Sequence, residues 1–171
     1  MAAVIAFEHN EDKLKVLKMN TQGKIAPNVM IVPKSLETTD PHAKDIPNLD
    51  GQLMQLPEPT LVCISGDSTR VLRGMTATMM LIKPVIYIDI ANTEDISYQY
   101  SILVERGYKM YWYSCPGFNL NNFKEKQLNI TDNSFYMNIL AIHEDVDIHD
   151  GGIDLPRIDG PNDNWKRFNN D

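Results

Sequence analysis

Short apolar runs, separated by polar breaks marked with glycine and proline, alternate along this chain between strand-like and helix-like spacing. Leu61-Val62-Cys63-Ile64 is an unbroken apolar run that stops at Ser65-Gly66. Val71, Leu72, Met75 and Met79 then recur at helical spacing, so one stripe of that segment faces a core. Lys83-Pro84 ends the helix, because proline disfavours helical backbone in the residue before it. Val85-Ile86-Tyr87-Ile88 is a second, β-branched run. Strand, tight turn, helix and strand make a βαβ unit, and two unbroken apolar runs suit parallel strands buried on both faces. Ligands of open α/β sheets sit beyond the carboxyl ends of the strands. That rule singles out Ser65, Gly66 and Asp67 after one strand and Asp89 after the other.

The rest of the chain follows the same alternation. Ala2 to Phe7 reads as a strand followed by Glu8, and Asn10 to Asn20 reads as a helix with acids at its start and Leu14, Leu17 and Met19 on its apolar side. Asn28 to Val32 is the next strand. Glu8 thus stands at a strand's carboxyl end, where its two oxygens suit the two hydroxyls of a ribose; a helix N-terminal acid is the plainer reading. Pro33 to Pro59 is a polar, proline-rich connection containing one short helix. Beyond Asp89, Glu94 to Gly107 is a helix with Ile96, Tyr100, Leu103 and Val104 on one side and Gly107 as C-cap. Tyr108 to Ser114 is an aromatic strand, Cys115 to Ser134 an asparagine-rich loop, and Tyr136 to Ile142 a final strand.

Charge divides the chain unevenly. The net charge of −7 concentrates in Glu144 to Asp171, where 8 acids face 3 bases. The remainder is near neutral and offers no basic patch for a phosphate backbone, so nucleic acid is not an expected partner. At 171 residues the chain suits one domain, 1–144, followed by an acidic polar tail, 145–171. Cys63 and Cys115 show no zinc or disulfide spacing, and Cys63, inside an apolar strand, reads as a small hydrophobe. No apolar run is long enough to span a membrane, and the start lacks a signal-peptide pattern; a cytoplasmic location is expected. His143, Asp145, Asp147, His149 and Asp150 have metal-ligand chemistry. A strand running into a solvated tail explains that cluster with less, so no metal is expected.

Six strands and three clear helices in mostly β-α order imply a doubly wound sheet, and the last two strands, joined by a loop, suit antiparallel pairing. VIAFEHNEDKLKVLKMN resembles the second strand and following helix of the FkbM family of S-adenosylmethionine-dependent methyltransferases, an AFEP-type box trailed by LLKKN. NVMIVPKSL, IPNLDGQL, STRVLRGM, KPVIYID, RGYKMYWYSCPGFNLNNF and YMNILAI are similar to its later blocks in the same order, from about residue 3 to residue 144. The aromatic GY-x-x-YW…P-x-FN-x-x-NF block is the most specific of these.

The resemblance implies an α/β fold: a Rossmann-like methyltransferase sheet, mostly parallel with a C-terminal antiparallel hairpin. It implies methyl transfer from S-adenosylmethionine to a hydroxyl of a sugar or related metabolite. Glu8 would hold the ribose hydroxyls, Ser35 and Leu36 would lie against the adenine, and Ser65 and Gly66 would sit beside the cofactor. Trp112, Phe118, Asn119 and Asn122 would line the pocket of a small-molecule or glycan acceptor, although core and loop packing also accounts for them. Two departures stand out. The family's opening strand and glycine-rich turn have no counterpart here, so the first central strand is expected to be missing and the truncated sheet to favour a homo-oligomer or a complementing chain. The family's acidic box, D-x-E-G-x-x-E in type, has Cys63, Ser65 and Ser68 at its acidic positions, leaving Asp67 and Asp89 as the catalytic candidates. The alternative to an enzyme is a non-catalytic methyltransferase-like binding or assembly module, and a third reading is a fragment of a longer enzyme.

Overall fold

A computed structural model describes residues 3–21, 28–36, 48–52, 55–90, 95–117, 134–146 and 154–166. The order is β1 (Val4–Phe7), α1 (Glu11–Thr21), β2 (Val29–Val32), α2 (Leu49–Gln52), β3 (Leu61–Ser65), α3 (Ser68–Arg73), a π-helical turn (Thr78–Ile82), β4 (Val85–Asp89), α4 (Ser97–Val104), β5 (Tyr108–Pro116) and β6 (Phe135–His143). β3 and β4 pair in parallel from Leu61↔Val85 to Ser65↔Asp89. β6 then runs antiparallel to both β4 and β5, giving the order β3-β4-β6-β5 with β6 alone reversed. β1 and β2 pair in parallel as a sheet of their own. The mixed α/β architecture and the closing antiparallel hairpin agree with the expected fold class.

Register explains where the core sits. Because strand side chains alternate between faces, Ile64, Ile88, Ile139 and Trp112 fall in one cross-strand row, and Ile86, Ala141 and Met110 in the next. All seven are buried, and Leu72, Met75, Met79, Ile96 and Leu103 from the helical side close over them. The opposite face carries Cys63, Ser65, Tyr87, Asp89 and Tyr113, none of them buried. The expectation that β3 and β4 are buried on both faces is therefore corrected: within these two strands only helix-facing positions are sealed. Cys63 is likewise exposed and not a core hydrophobe.

Several helical details also differ from the sequence pattern. Met19 is 73% exposed and α1 buries no residue. Val104 is exposed, and Ile102 takes its place in the core. The helix expected through Met79 breaks at Gly74 and resumes as the π-helical turn, started by the Asp50 carboxylate. Lys83 stops it in left-handed backbone (φ 56, ψ 48), an alternative to the extended conformation usual before proline. Residues 154–166 are tied to the sheet: Trp112 N–H donates to the Pro156 carbonyl at 2.8 Å, Ile158 N–H to the Met110 carbonyl at 2.9 Å, and Ile158 is buried.

Candidate functional site

The strand ends named from the sequence come together. β3 and β4 finish in register, so Ser65 and Asp89 are Cα partners on the same face, and the Ser65 hydroxyl donates to Asp89 Oδ2 at 3.2 Å. Gly66 follows with φ 112, left-handed backbone that favours glycine and turns the chain sharply into α3. Asp67 caps that helix, its Oδ1 accepting the Arg70 N–H at 3.2 Å while its Oδ2 lies 3.2 Å from Arg70 Nε. Of the two catalytic candidates, Asp67 is thus engaged as a cap, and Asp89 faces the sheet's open side. Ser68, third in the substituted acidic positions, is buried and accepts a hydrogen bond from Gln99 Nε2 at 3.0 Å.

A recess of about 280 Å³ opens over these strand ends, lined among others by Cys63, Ser65, Tyr87, Asp89, Tyr136 and Asn138. Tyr87 meets Tyr113 edge to face, ring centroids 6.0 Å apart. Burial raises the Tyr87 phenol above its ordinary pKa, and the neighbouring Cys115 and Asp89 add to this. Partial burial also raises the Cys63 thiol. Both side chains therefore keep their protons at neutral pH. Sequence reasoning missed Tyr87, Tyr136, Asn138 and Cys115 as lining. The period of two from Asp89 points to Tyr87, but only the β4–β6–β5 register brings in the others.

Glu8 belongs to the other sheet. Its N–H donates to the Val32 carbonyl at 3.2 Å, its Oε1 accepts the Asn10 N–H at 2.8 Å, and His9 Nδ1 lies 3.9 Å away. Asn10 Oδ1 in turn accepts from Asp12 N–H and Lys13 N–H, each at 3.1 Å, so Asn10 caps α1 and Glu8 steadies the cap. Ser35 and Leu36 follow β2 at the same end, with Leu36 packed against the main core. Trp112 does not join the recess: its ring lies in the helix-covered row with Ile139, where its Nε1 meets no hydrogen-bond partner. Phe118, Asn119 and Asn122 lie outside the described residues, as do Asp147, His149 and Asp150. Among the described residues no cluster of metal ligands occurs, and no helix is long and apolar enough to cross a membrane.

A parallel pair continued by an antiparallel hairpin, with helices over one face and polar side chains at the strand ends, makes a Rossmann-like α/β fold. Solved structures that share it include two methyltransferases. One, a precorrin-6y C5,15-methyltransferase from Geobacter metallireducens, is 19% identical at a TM-score of 0.53, covering 82% of this chain and 68% of its own. The other, methyltransferase FkbM from Methylobacillus flagellatus, is 16% identical at a TM-score of 0.50, covering 81% of this chain and 36% of its own. No family model and no curated protein sequence matches the chain.

Proposed function

We propose that this chain is an FkbM-like methyltransferase domain that uses S-adenosylmethionine and acts on a hydroxyl of a sugar or related small molecule. The observation that carries the reading is the hydrogen-bonded Ser65–Asp89 pair, set at adjacent strand ends beside an open recess in a fold of this type. S-adenosylmethionine supplies, when bound, an electrophilic methyl group. The residues present fit it in part. Glu8 Oε1 already holds the Asn10 N–H, but a carboxylate has roughly four lone-pair sites on two oxygens, enough to accept a ribose diol as well. Leu36 and Ser35 would flank the adenine, and Gly66 lets backbone approach closely where a side chain would intrude. Asp89 is the carboxylate suited to take the proton of an acceptor hydroxyl, with Ser65 orienting it.

A second reading, a non-catalytic binding or assembly module, draws support from Ser68, which is buried in the α3–α4 contact instead of facing the recess. Calorimetric titration with S-adenosylmethionine separates the two: micromolar affinity that falls in Glu8→Ala supports the enzyme, and no heat at millimolar ligand supports the module. The same proposal includes a strand from a second copy or another chain between β1 and β3, whose sheets are separate among the described residues. Light scattering across a concentration series tests it, and a monomer at all concentrations rules out the second copy.

A further inference from the structure

Asn138 is out of keeping with its place in the fold. It stands within β6 and is 2% exposed. Asparagine is depleted in strands, and a buried amide costs stability unless its groups are bonded. Its Nδ2 donates to the Tyr136 carbonyl of its own strand at 3.3 Å. Its Oδ1 accepts no hydrogen bond among the described residues. Asp89 on β4 and Tyr113 on β5 are its Cα partners, so Asn138 shares the open sheet face with them, and it lines the recess over the strand ends.

A nearly sealed amide with its nitrogen bonded and its oxygen unbonded needs a donor from outside the chain, and the recess is where one enters. Ser65, Asp89 and Asn138 form one cross-strand row on three successive strands. Neighbouring strands lie about 4.8 Å apart. Two hydroxyls on adjacent ring carbons sit closer together than that. Each can reach outward to its own strand, one to Asp89 and the other to Asn138 Oδ1. Hydroxyls at opposite ends of a ring point away from each other and cannot meet both. The rings of Tyr87 and Tyr136 and the sulfurs of Cys63 and Cys115 give the ligand's carbon skeleton apolar walls, and about 280 Å³ suits a single ring.

We infer that Asn138 sets the specificity of this recess: its amide oxygen reads the hydroxyl beside the reacting one, so the acceptor is a vicinal diol on a ring and not an isolated alcohol. The inference rests on the proposed function for the hydroxyl held at Asp89, and on Asn138 for its neighbour. At Asp89 it uses one of the carboxylate's roughly four lone-pair sites, beside the Ser65 hydroxyl and its other contacts. A site built to bond a hydroxyl rejects the analogue that lacks it, because the protein group is then left unpaired.

The test is ligand-observed NMR binding to the whole chain without S-adenosylmethionine, at millimolar probe. The probes are the two vicinal cyclohexanediols, the isomer with its hydroxyls at opposite ends of the ring, and cyclohexanol. At least one vicinal diol is expected to bind about tenfold tighter than the other isomer or cyclohexanol, the discrimination that one neutral hydrogen bond supplies. Asn138→Leu, similar in size and without the amide, should erase that preference while melting no lower than wild type. A purely structural asparagine would instead lower the melting temperature and leave the preference unmoved. If Asn138→Leu fails to fold, the wild-type panel decides alone. Equal affinity for vicinal diol and cyclohexanol means that water satisfies Oδ1 and overturns the inference, as does no binding of any probe. A chain that prefers the vicinal diol but ignores S-adenosylmethionine keeps this inference and loses the proposed activity. Cofactor binding without that preference does the reverse.

Discussion

Asp50 takes two hydrogen bonds from Thr78 on a single oxygen, Oδ1, from the backbone N–H at 2.8 Å and from the hydroxyl at 2.7 Å. Its Oδ2 accepts the Ala77 N–H at 2.8 Å, and its own N–H donates to the Gly74 carbonyl at 3.1 Å. One carboxylate on the short α2 thus satisfies the start of the helical turn that follows the break at Gly74, and a charged acceptor strengthens each bond. Asp50→Ala is expected to lower stability by about 2–3 kcal/mol, and Asp50→Asn by less because its amide oxygen still accepts. Urea-unfolding midpoints check this; equal midpoints for wild type and Asp50→Ala would show the cap to be dispensable.

Tyr108 makes the fold sensitive to high pH. Its hydroxyl donates to the Pro84 carbonyl at 3.1 Å, and burial pushes its pKa up to about 12 from an ordinary 10.0. The unfolded chain releases this proton near the ordinary value while the folded chain retains it. The stabilisation is therefore complete below that value and is lost as pH rises through the folded one. Tyr108→Phe should flatten stability against pH in this alkaline window. It should also cost about 1 kcal/mol at neutral pH through the lost hydrogen bond. Ultraviolet titration of the phenolate, with thermal melts across the window, measures both.

At the acid end, Asp145 is the group to follow. The Lys83 ammonium hydrogen-bonds its carboxylate and, with its charge, holds the pKa below the ordinary 3.8. A lowered folded pKa means the contribution is present above the unfolded value and fades as pH falls through the folded one. The Asp145 carboxyl titration, followed by NMR, should have its midpoint below 3.8 in the wild type and move upward in Lys83→Ala. Identical midpoints would show that the pair is not formed in solution.

Ile158 tests whether the acidic C-terminal stretch belongs to the domain. It is 2% exposed and packs in the main core beside β5. Truncating it should cost about 2–4 kcal/mol, as for other buried isoleucines, whereas a residue on a free tail would cost nothing measurable. Chemical denaturation of Ile158→Ala decides between these outcomes.

Much of the fold was legible because backbone patterns are local. Val85-Ile86-Tyr87-Ile88 could be read as a strand from β-branching, and Gly107 as a helix stop, since its φ of 78 is open to glycine and strained for other residues. Burial was less legible. Leu61, Val62 and Cys63 are apolar whichever face they occupy, so an unbroken run did not reveal that Leu61 would be 54% exposed while Ile64 is sealed. Trp112 could be read as lining or as core until its register with Ile139 put it on the helix-covered face.

By itself the order of residues determined the succession of strands and helices, the polar strand ends at Ser65 and Asp89, and the near-neutral body with an acidic C-terminal stretch. Those properties follow from side-chain chemistry and from spacings of two and 3.6 residues along one chain segment. Tertiary structure alone decided that Asn138 lies opposite Asp89, that Tyr136 joins them in lining the recess, and that Ile158 returns to the core. The strand-face and core placements depend on pairing between segments far apart in the chain, where a shift of one residue in register would turn every side chain to the opposite face.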